Sequence, residues 1–346
     1  MASVDVTVRG AGAFGLSVAW VCAQRGARVR VVDPYGPGAG SSGGVVGALA
    51  PHVPENWNSK KAFQLESLLM AENFWAEVEA VGGLSSGYGR TGRLQPIVDE
   101  QALKLAQERA QGAAELWQGK ARWEIVDAAA IGDFAPHSPT GKLIFDTLTG
   151  RMHPRRACAA LVAALQAKGV EIVGEAPDEG AVVWATGWQG LRALSDAFGK
   201  KVGDGVKGQA ALFRYSAPKA PQLFVETLHI VPHADGTVAI GSTSEREFED
   251  PASVDDQVEM LIEKARAALP VLETAEVIER WAGVRPRARS RAPILGAWPD
   301  KPGHFIANGG FKIGFGMGPK VAHVMADLVL EERDGIPDAF RVEACL

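Results

Sequence analysis

The sequence predicts an α/β composite: a Rossmann-type dinucleotide-binding domain assembled from separated stretches of chain, with a second, antiparallel domain interleaved. Three observations predict it. The chain opens on a strand, glycine turn, helix and strand: Val4–Val8, Gly10-Ala11-Gly12-Ala13-Phe14-Gly15, Leu16–Gln24 and Ala27–Val32. A second apolar strand, Val182-Val183-Trp184-Ala185, runs into Thr186-Gly187 in mid-chain. Near the end a further glycine-rich turn, Gly309–Gly318, stands directly before a helix. Nucleotide-type elements therefore recur at the start, middle and end of the chain. This places the dinucleotide domain at 1–60, 150–205 and 290–346, and the second domain at 61–149 and 206–289.

The remaining elements follow from periodicity and breakers. Helices are predicted over Lys61–Val81, stopped by Gly82-Gly83, over Glu100–Gln118, and over Arg156–Lys168, ended by Gly169. A short strand, Val170–Val173, comes next. Residues 208–243 are strand-rich, with strands expected at Ala210–Tyr215, Leu223–Val231 and Thr237–Gly241. A helix over Val254–Ala268 stops before Pro270, a strand covers Phe305–Ala307, and a last helix covers Pro319–Glu332.

Composition bounds the function. The chain has 346 residues, 47% of them hydrophobic and 22% charged, which is ordinary globular usage and allows a sizeable core. A net charge of −5 argues against a general nucleic-acid binder. Cys22, Cys158 and Cys345 are odd in number and lack metal or redox spacing, which suits buried thiols in a reducing cytoplasm. No signal peptide and no membrane-spanning stretch is read from the sequence.

Each glycine of the first turn has a task. Gly10 permits the tight turn, Gly12 lets the backbone approach a pyrophosphate, and Gly15 lets helix and strand pack closely. Ala13 and Phe14 open the helix whose N-terminus faces that anion. Asp33, 23 residues after Gly10, stands where a carboxylate bonds a ribose hydroxyl. A nicotinamide domain has no use for a distant C-terminal glycine turn, whereas FAD is longer and needs several separated segments to grip it. FAD is therefore the expected cofactor. His137, His153, His233, His304 and His323 show no metal-ligand spacing, so no metal is expected.

Six segments in order resemble the D-amino-acid oxidase / glycine oxidase family of flavoproteins, which includes sarcosine oxidases. They are GAGAFG at 10–15, SSGGVVGALAPH at 41–52, VVWATG at 182–187, HIVPHADGTVAIGSTSE at 229–245, WAGVRPRARSRAPILG at 281–296 and GGFKIGFGMGP at 309–319. The resemblance implies an FAD-binding domain and a substrate domain whose antiparallel sheet covers the flavin. It implies that Ser41-Ser42 contact the phosphates and that Gly47-Ala48-Leu49 run beside the flavin ring. It also implies that the turn Gly310-Phe311-Lys312-Ile313-Gly314 cradles that ring. Val173, Ala185, Thr186 and Gly187 are the expected mid-chain contacts. The stretch from Val173 to Val182 is shorter than relatives carry, which opens the adenine edge. No cysteine lies near these motifs, so FAD is expected to be non-covalent.

Flavin oxidation of an amine needs a hydride acceptor, orientation and exclusion of water more than acid–base groups. A guanidinium holds a carboxylate with two parallel hydrogen bonds. The resemblance gives that role to Arg285, with Lys312 as a second cation and His229 over the substrate, where glycine oxidases have a tyrosine. His52 is a lesser candidate. Arg285, Arg287, Arg289 and Arg291 would share one face of an extended strand. Arg289 and Arg291 read as a solvated edge; the sharper reading of the row is an anion funnel. The implied activity is hydride transfer from the carbon next to nitrogen of a small amino acid or secondary amine, giving an imine that hydrolyses. The electrons leave to oxygen, a quinone or a partner flavoprotein. Alternatives are a flavoenzyme trimming a carboxymethylaminomethyl group on tRNA, a nicotinamide-dependent dehydrogenase, and a non-catalytic flavin-binding subunit.

Overall fold

The computed structural model describes residues 4–346. β1 (Val6–Arg9) passes through the glycine turn into α1 (Ala13–Gln24), and β2 (Val29–Val32) returns parallel to β1. α1 starts three residues before the expected Leu16, because Gly15 forms part of its first turn against the Gly10 carbonyl. Ala13 to Cys22 are all buried, so α1 is apolar all round and shows no amphipathic stripe.

The Gly/Ser stretch carries β3 (Ala48–Leu49). Asn58 then caps α2 (Ser59–Gly82) by accepting from the Lys60 and Lys61 N–H groups. β4 (Arg93–Pro96), α3 (Glu100–Leu116), β5 (Trp123–Asp127), β6 (Lys142–Asp146) and β7 (Gly150–Arg151) follow. None of these four strands is legible in the sequence, because Arg93, Pro96, Lys142 and Arg151 interrupt any apolar alternation. α4 (Pro154–Ala167) begins with Pro154 in its first turn, two residues before the expected start. β8 (Glu171–Val173) and β9 (Ala181–Trp184) come next. α5 (Gly187–Phe198) is not among the expected helices, since Gly187 and Gly190 read as breakers.

β10 (Gly203–Arg214) is longer than expected. The single strand expected over Leu223–Val231 is a hairpin, β11 (Gln222–Val225) and β12 (Leu228–Pro232). Glu226 and Thr227 make its turn at φ 47° and 72°, without the Gly or Asn that would announce it. β13 (Thr237–Gly241), α6 (Asp256–Ala268) and the long β14 (Glu276–Ala288) follow. β15 (Ile294–Ala297), β16 (His304–Asn308) and α7 (Gly314–Glu331) complete the strands and α-helices. α7 begins five residues before the expected Pro319: Gly316 and Gly318 belong to the helix, where the lack of a side chain lets it lie against Leu49 and Ser17.

Two sheets result. The first has six strands in the order β15-β16-β9-β1-β2-β8, parallel apart from the β15/β16 pair. Val6, Val8, Val31 and Val183 face a core shared with α1 and α7. The second has eight strands, β14-β10-β13-β12-β11-β4-β6-β5, antiparallel apart from β11/β4. The small β3–β7 pair links the glycine stretch to this half of the molecule. The α/β composite with a Rossmann-type sheet and an antiparallel sheet is therefore the observed fold.

Candidate active site

The phosphate end is built of backbone. Gly10 sits at φ 105°, and a Cβ there would collide with the Ala185 carbonyl; one on Gly15 would collide with the carbonyl of Gly10. Gly12 occupies the N-cap of α1 without a side-chain cap. The Ala13 N–H donates to Ser42 Oγ at 2.9 Å, which draws the Ser41–Gly43 turn over the helix N-terminus. This arrangement fits an anion. Asp33 Oδ2 accepts from the Ala11 N–H at 2.7 Å and Oδ1 from the Tyr35 N–H at 2.9 Å, so the carboxylate is fixed at the end of β2. Its own N–H donates to the Val173 carbonyl at 3.0 Å. Ala185 lies beneath Gly10, and Thr186 and Gly187 open α5, where the Gly187 carbonyl accepts from Asn308 Nδ2 at 2.9 Å.

The middle of the cleft is equally tight. A Cβ on Gly47 would strike the Met152 carbonyl, which holds Gly47-Ala48-Leu49 against β7. The C-terminal turn bridges both halves: a Cβ on Gly310 would press on the Phe14 ring at 2.9 Å, and the Phe311 N–H donates to the Pro286 carbonyl at 3.0 Å. Ile313 closes this turn on the Gly310 carbonyl, and Gly314 lies beside Ala13. The first glycine turn thus meets Ser42, Asp33 and Ala185, and the C-terminal turn meets Phe14 of α1.

The residues expected at the substrate lie on β14, β12 and the C-terminal turn. Arg285 is only 8% exposed. Its guanidinium donates to Ser242 Oγ at 2.5 Å and to the Thr243 carbonyl at 2.7 Å, and Nε is left buried without a partner. Burial pushes Arg285 down to about 10, with Glu245 opposing that shift. Lys312 is exposed along its length, yet desolvation of its ammonium, then Arg285 and Arg287, hold it down to about 8. His229, half-buried on β12, packs on Phe224 at 4.7 Å between ring centroids. Burial, then Arg93 and Lys312, push its imidazole down to about 3, so it is neutral and donates no imidazolium proton. Arg93, whose charge acts on His229, is missed by sequence reasoning. It forms a buried ion pair with Asp146 at 2.9 Å and lies over Phe224, but nothing in the sequence links two residues 53 positions apart.

Two expectations change, and three histidines find partners. The row of arginines does not share one face: β14 ends at Ala288, so Arg289 and Arg291 leave the strand and are exposed, while Arg285 and Arg287 stay together. A cysteine does lie beside a cofactor segment, because Cys158 Sγ donates to the Ser42 carbonyl at 3.7 Å. It is buried at the phosphate end, and burial pushes its thiol up to about 12, so it offers no thiolate. His153 and His233, without metal spacing in sequence, come together at 4.6 Å between centroids with Asp235 beside them. Asp235 binds Arg156 at 3.0 Å, and burial, then His153, push His233 down to about 3. His52 Nδ1 meets Gln64 Oε1 at 2.5 Å, which fixes the ring to α2.

A glycine turn at a helix N-terminus on a parallel sheet, joined to an antiparallel sheet that carries the buried Arg285, is the architecture of a cofactor-dependent oxidoreductase. The DAO family, FAD dependent oxidoreductase, matches residues 5–328, and the chain belongs to it. It is 26% identical to the bifunctional protein ThiO/ThiG of a Nostoc species over 364 residues, 95% of this chain; the chain spans about half, 53%, of that relative. It is also 26% identical to the glycine oxidase of Pseudomonas putida, over 94% of each chain. Two crystal structures share the fold. The glycine oxidase of Geobacillus kaustophilus has a TM-score of 0.83 and 22% identity, covering 98% of each chain. The iminodiacetate oxidase of a Chelativorans species has a TM-score of 0.85 and 20% identity, covering 97% of this chain and 98% of that one. The cofactor is accordingly FAD. Among the described residues no helix is long and apolar enough to cross a membrane.

Proposed function

We propose that the protein oxidises the C–N bond of a small amino acid or secondary amine of the glycine, sarcosine or D-amino-acid type. The observation that carries this reading is Arg285: a buried guanidinium in the cleft, anchored to Ser242 and Thr243, with Nε lacking a partner. Leaving a buried donor unpaired costs about 1–3 kcal/mol, which a bound carboxylate would recover. The glycine oxidase relative supports the same substrate class.

In this reading Gly10, Gly12, Ala13, Phe14, Gly15, Ser41 and Ser42 hold the phosphates, and Asp33 the ribose. Val173, Ala185, Thr186 and Gly187 flank the nucleotide half; Gly47, Ala48, Leu49 and Gly310–Gly314 hold the ring. Bound without a covalent link, FAD supplies the hydride acceptor. The protein's own work is orientation. Arg285 takes the substrate carboxylate and Lys312 assists. His229 packs against the substrate as a neutral ring. The cationic surroundings disfavour a protonated amine, so they lower the amine's pKa and favour the free lone pair that C=N formation needs. Water then hydrolyses the imine, and oxygen, a quinone or a flavoprotein takes the electrons.

The test is anaerobic bleaching of the yellow enzyme with glycine, sarcosine, proline and D-alanine, against methylamine and dimethylamine. Bleaching by carboxylated amines alone is the expected result. Bleaching by none of the amino acids, or by reduced nicotinamide only, overturns the reading.

A further inference from the structure

Phe311, in the C-terminal turn, is ringed by cations. The guanidinium carbon of Arg285 lies 5.4 Å from its ring centroid, that of Arg287 5.6 Å, and the Lys312 ammonium nitrogen 5.8 Å. Nearby acids are engaged elsewhere: Asp204, opposite Arg287 across β10 and β14, with Arg192 at 2.9 Å and Lys201 at 3.1 Å, and Glu245 with Lys207 at 3.8 Å. Among the described residues no carboxylate oxygen comes within 4.0 Å of a nitrogen of Arg285, Arg287 or Lys312. In a chain of net charge −5 this is a local excess of positive charge.

One carboxylate does not answer three cations. Like charges this close repel, and the ring face offsets only part of that cost. β14 sets Arg285 and Arg287 two positions apart on the same side, roughly 7 Å along the strand; the terminal nitrogens of Arg285 bond Ser242 Oγ and the Lys207 and Thr243 carbonyls and leave Nε free, so Arg287 is a separate second donor. Arg285 is buried, whereas Arg287 is half-exposed and stands nearer solvent. A ligand that answers both carries one anionic group deep in the cleft and a second toward its mouth.

We propose that the substrate is an amine bearing two carboxylates, with Arg285 taking the carboxylate beside the reacting carbon and Arg287 the second. This rests on the amine-oxidation reading above and narrows its substrate class. For iminodiacetate, the C–H bond breaks with its electron pair passing as hydride to FAD, the oxidant. The nitrogen lone pair closes C=N, and water splits the product into glyoxylate and glycine.

The test compares matched pairs on FAD-loaded protein. Iminodiacetate against sarcosine and D-aspartate against D-alanine are read as kcat/KM; malonate against acetate is read as Kd by calorimetry, with no turnover involved. The dicarboxylate of each pair is expected to be favoured by on the order of tenfold to a hundredfold. Arg287→Gln should bring each ratio close to one, while Arg289→Gln, on the exposed arginine beyond the strand, keeps the preference. Equal or better use of the monocarboxylates overturns the proposal, as does a preference that survives Arg287→Gln. If Arg287→Gln instead loosens FAD and leaves the ratios intact, Arg287 serves the cofactor's phosphates and the proposal also falls. If no amine bleaches the flavin but malonate still binds tightly through Arg287, the amine-oxidation reading fails while the two-anion site stands.

Discussion

The two ends of the cleft are made by different means. At the phosphate end the chain offers backbone: Gly10 and Gly15 have no room for a side chain, and the anion-facing donors are the N–H groups of α1. At the proposed substrate end it offers side-chain charge, carried on β14 and the C-terminal turn. A site made of backbone cannot be altered without altering the fold. A site made of charged tips can lose a tip and keep its scaffold. The first should fail as a whole and the second by degrees.

The sharpest way to break this contrast is Gly15→Ala. Its Cβ would overlap the Gly10 carbonyl, and neither backbone segment can yield without moving β1 or α1. Destabilisation of more than about 4 kcal/mol is expected, with little folded protein and no retained flavin, checked by circular dichroism and flavin absorbance. Wild-type folding and flavin content in this variant would end the backbone account.

Arg285 provides the counterpart. Arg285→Ala should fold and stay yellow, yet lose on the order of 2–5 kcal/mol of transition-state binding, roughly 30- to 4,000-fold in kcat/KM. Arg285→Lys should recover only part of this, because an ammonium lacks the planar fork. Steady-state kinetics at saturating flavin decide it; near wild-type values in both variants would place the carboxylate elsewhere.

The smallest effect is a dependence on pH. The Lys312 ammonium, held down to about 8 by burial and by Arg285 and Arg287, loses its charge as pH rises through that value. KM for a carboxylated substrate should therefore rise several-fold above about pH 8, and Lys312→Met should remove that rise while raising KM at neutral pH. His229, pushed to about 3, is already neutral and should add no limb between pH 5 and pH 9. A KM profile unchanged by Lys312→Met would detach Lys312 from the substrate.

The same contrast explains what is legible in the sequence. The phosphate end can be read because its requirements are local: a glycine spacing, a strand before it, an acid at the end of the next strand. The substrate end depends on contacts between remote residues. The Arg93–Asp146 pair and the His153–His233 contact leave no local trace, and the Glu226–Thr227 turn lacks the residues that mark a hairpin. Arg285 and Lys312 are reached through likeness to relatives and not through spacing. Where Arg289 parts from Arg287 depends on β14 ending at Ala288, a matter of its pairing with β10.

The strand order also sets a timetable. β9 lies between β1 and β16, but His304, where β16 begins, follows Trp184 by 120 residues. At about 5–20 residues per second of synthesis, β9 waits roughly 6–24 s with one edge unpaired. An exposed apolar edge invites pairing with other chains, so a nascent chain of this protein passes through an interval in which chaperone protection matters most. The Gly310–Gly314 turn emerges later still, so under the proposed reading FAD capture belongs to the nearly finished chain and not to its first βαβ unit.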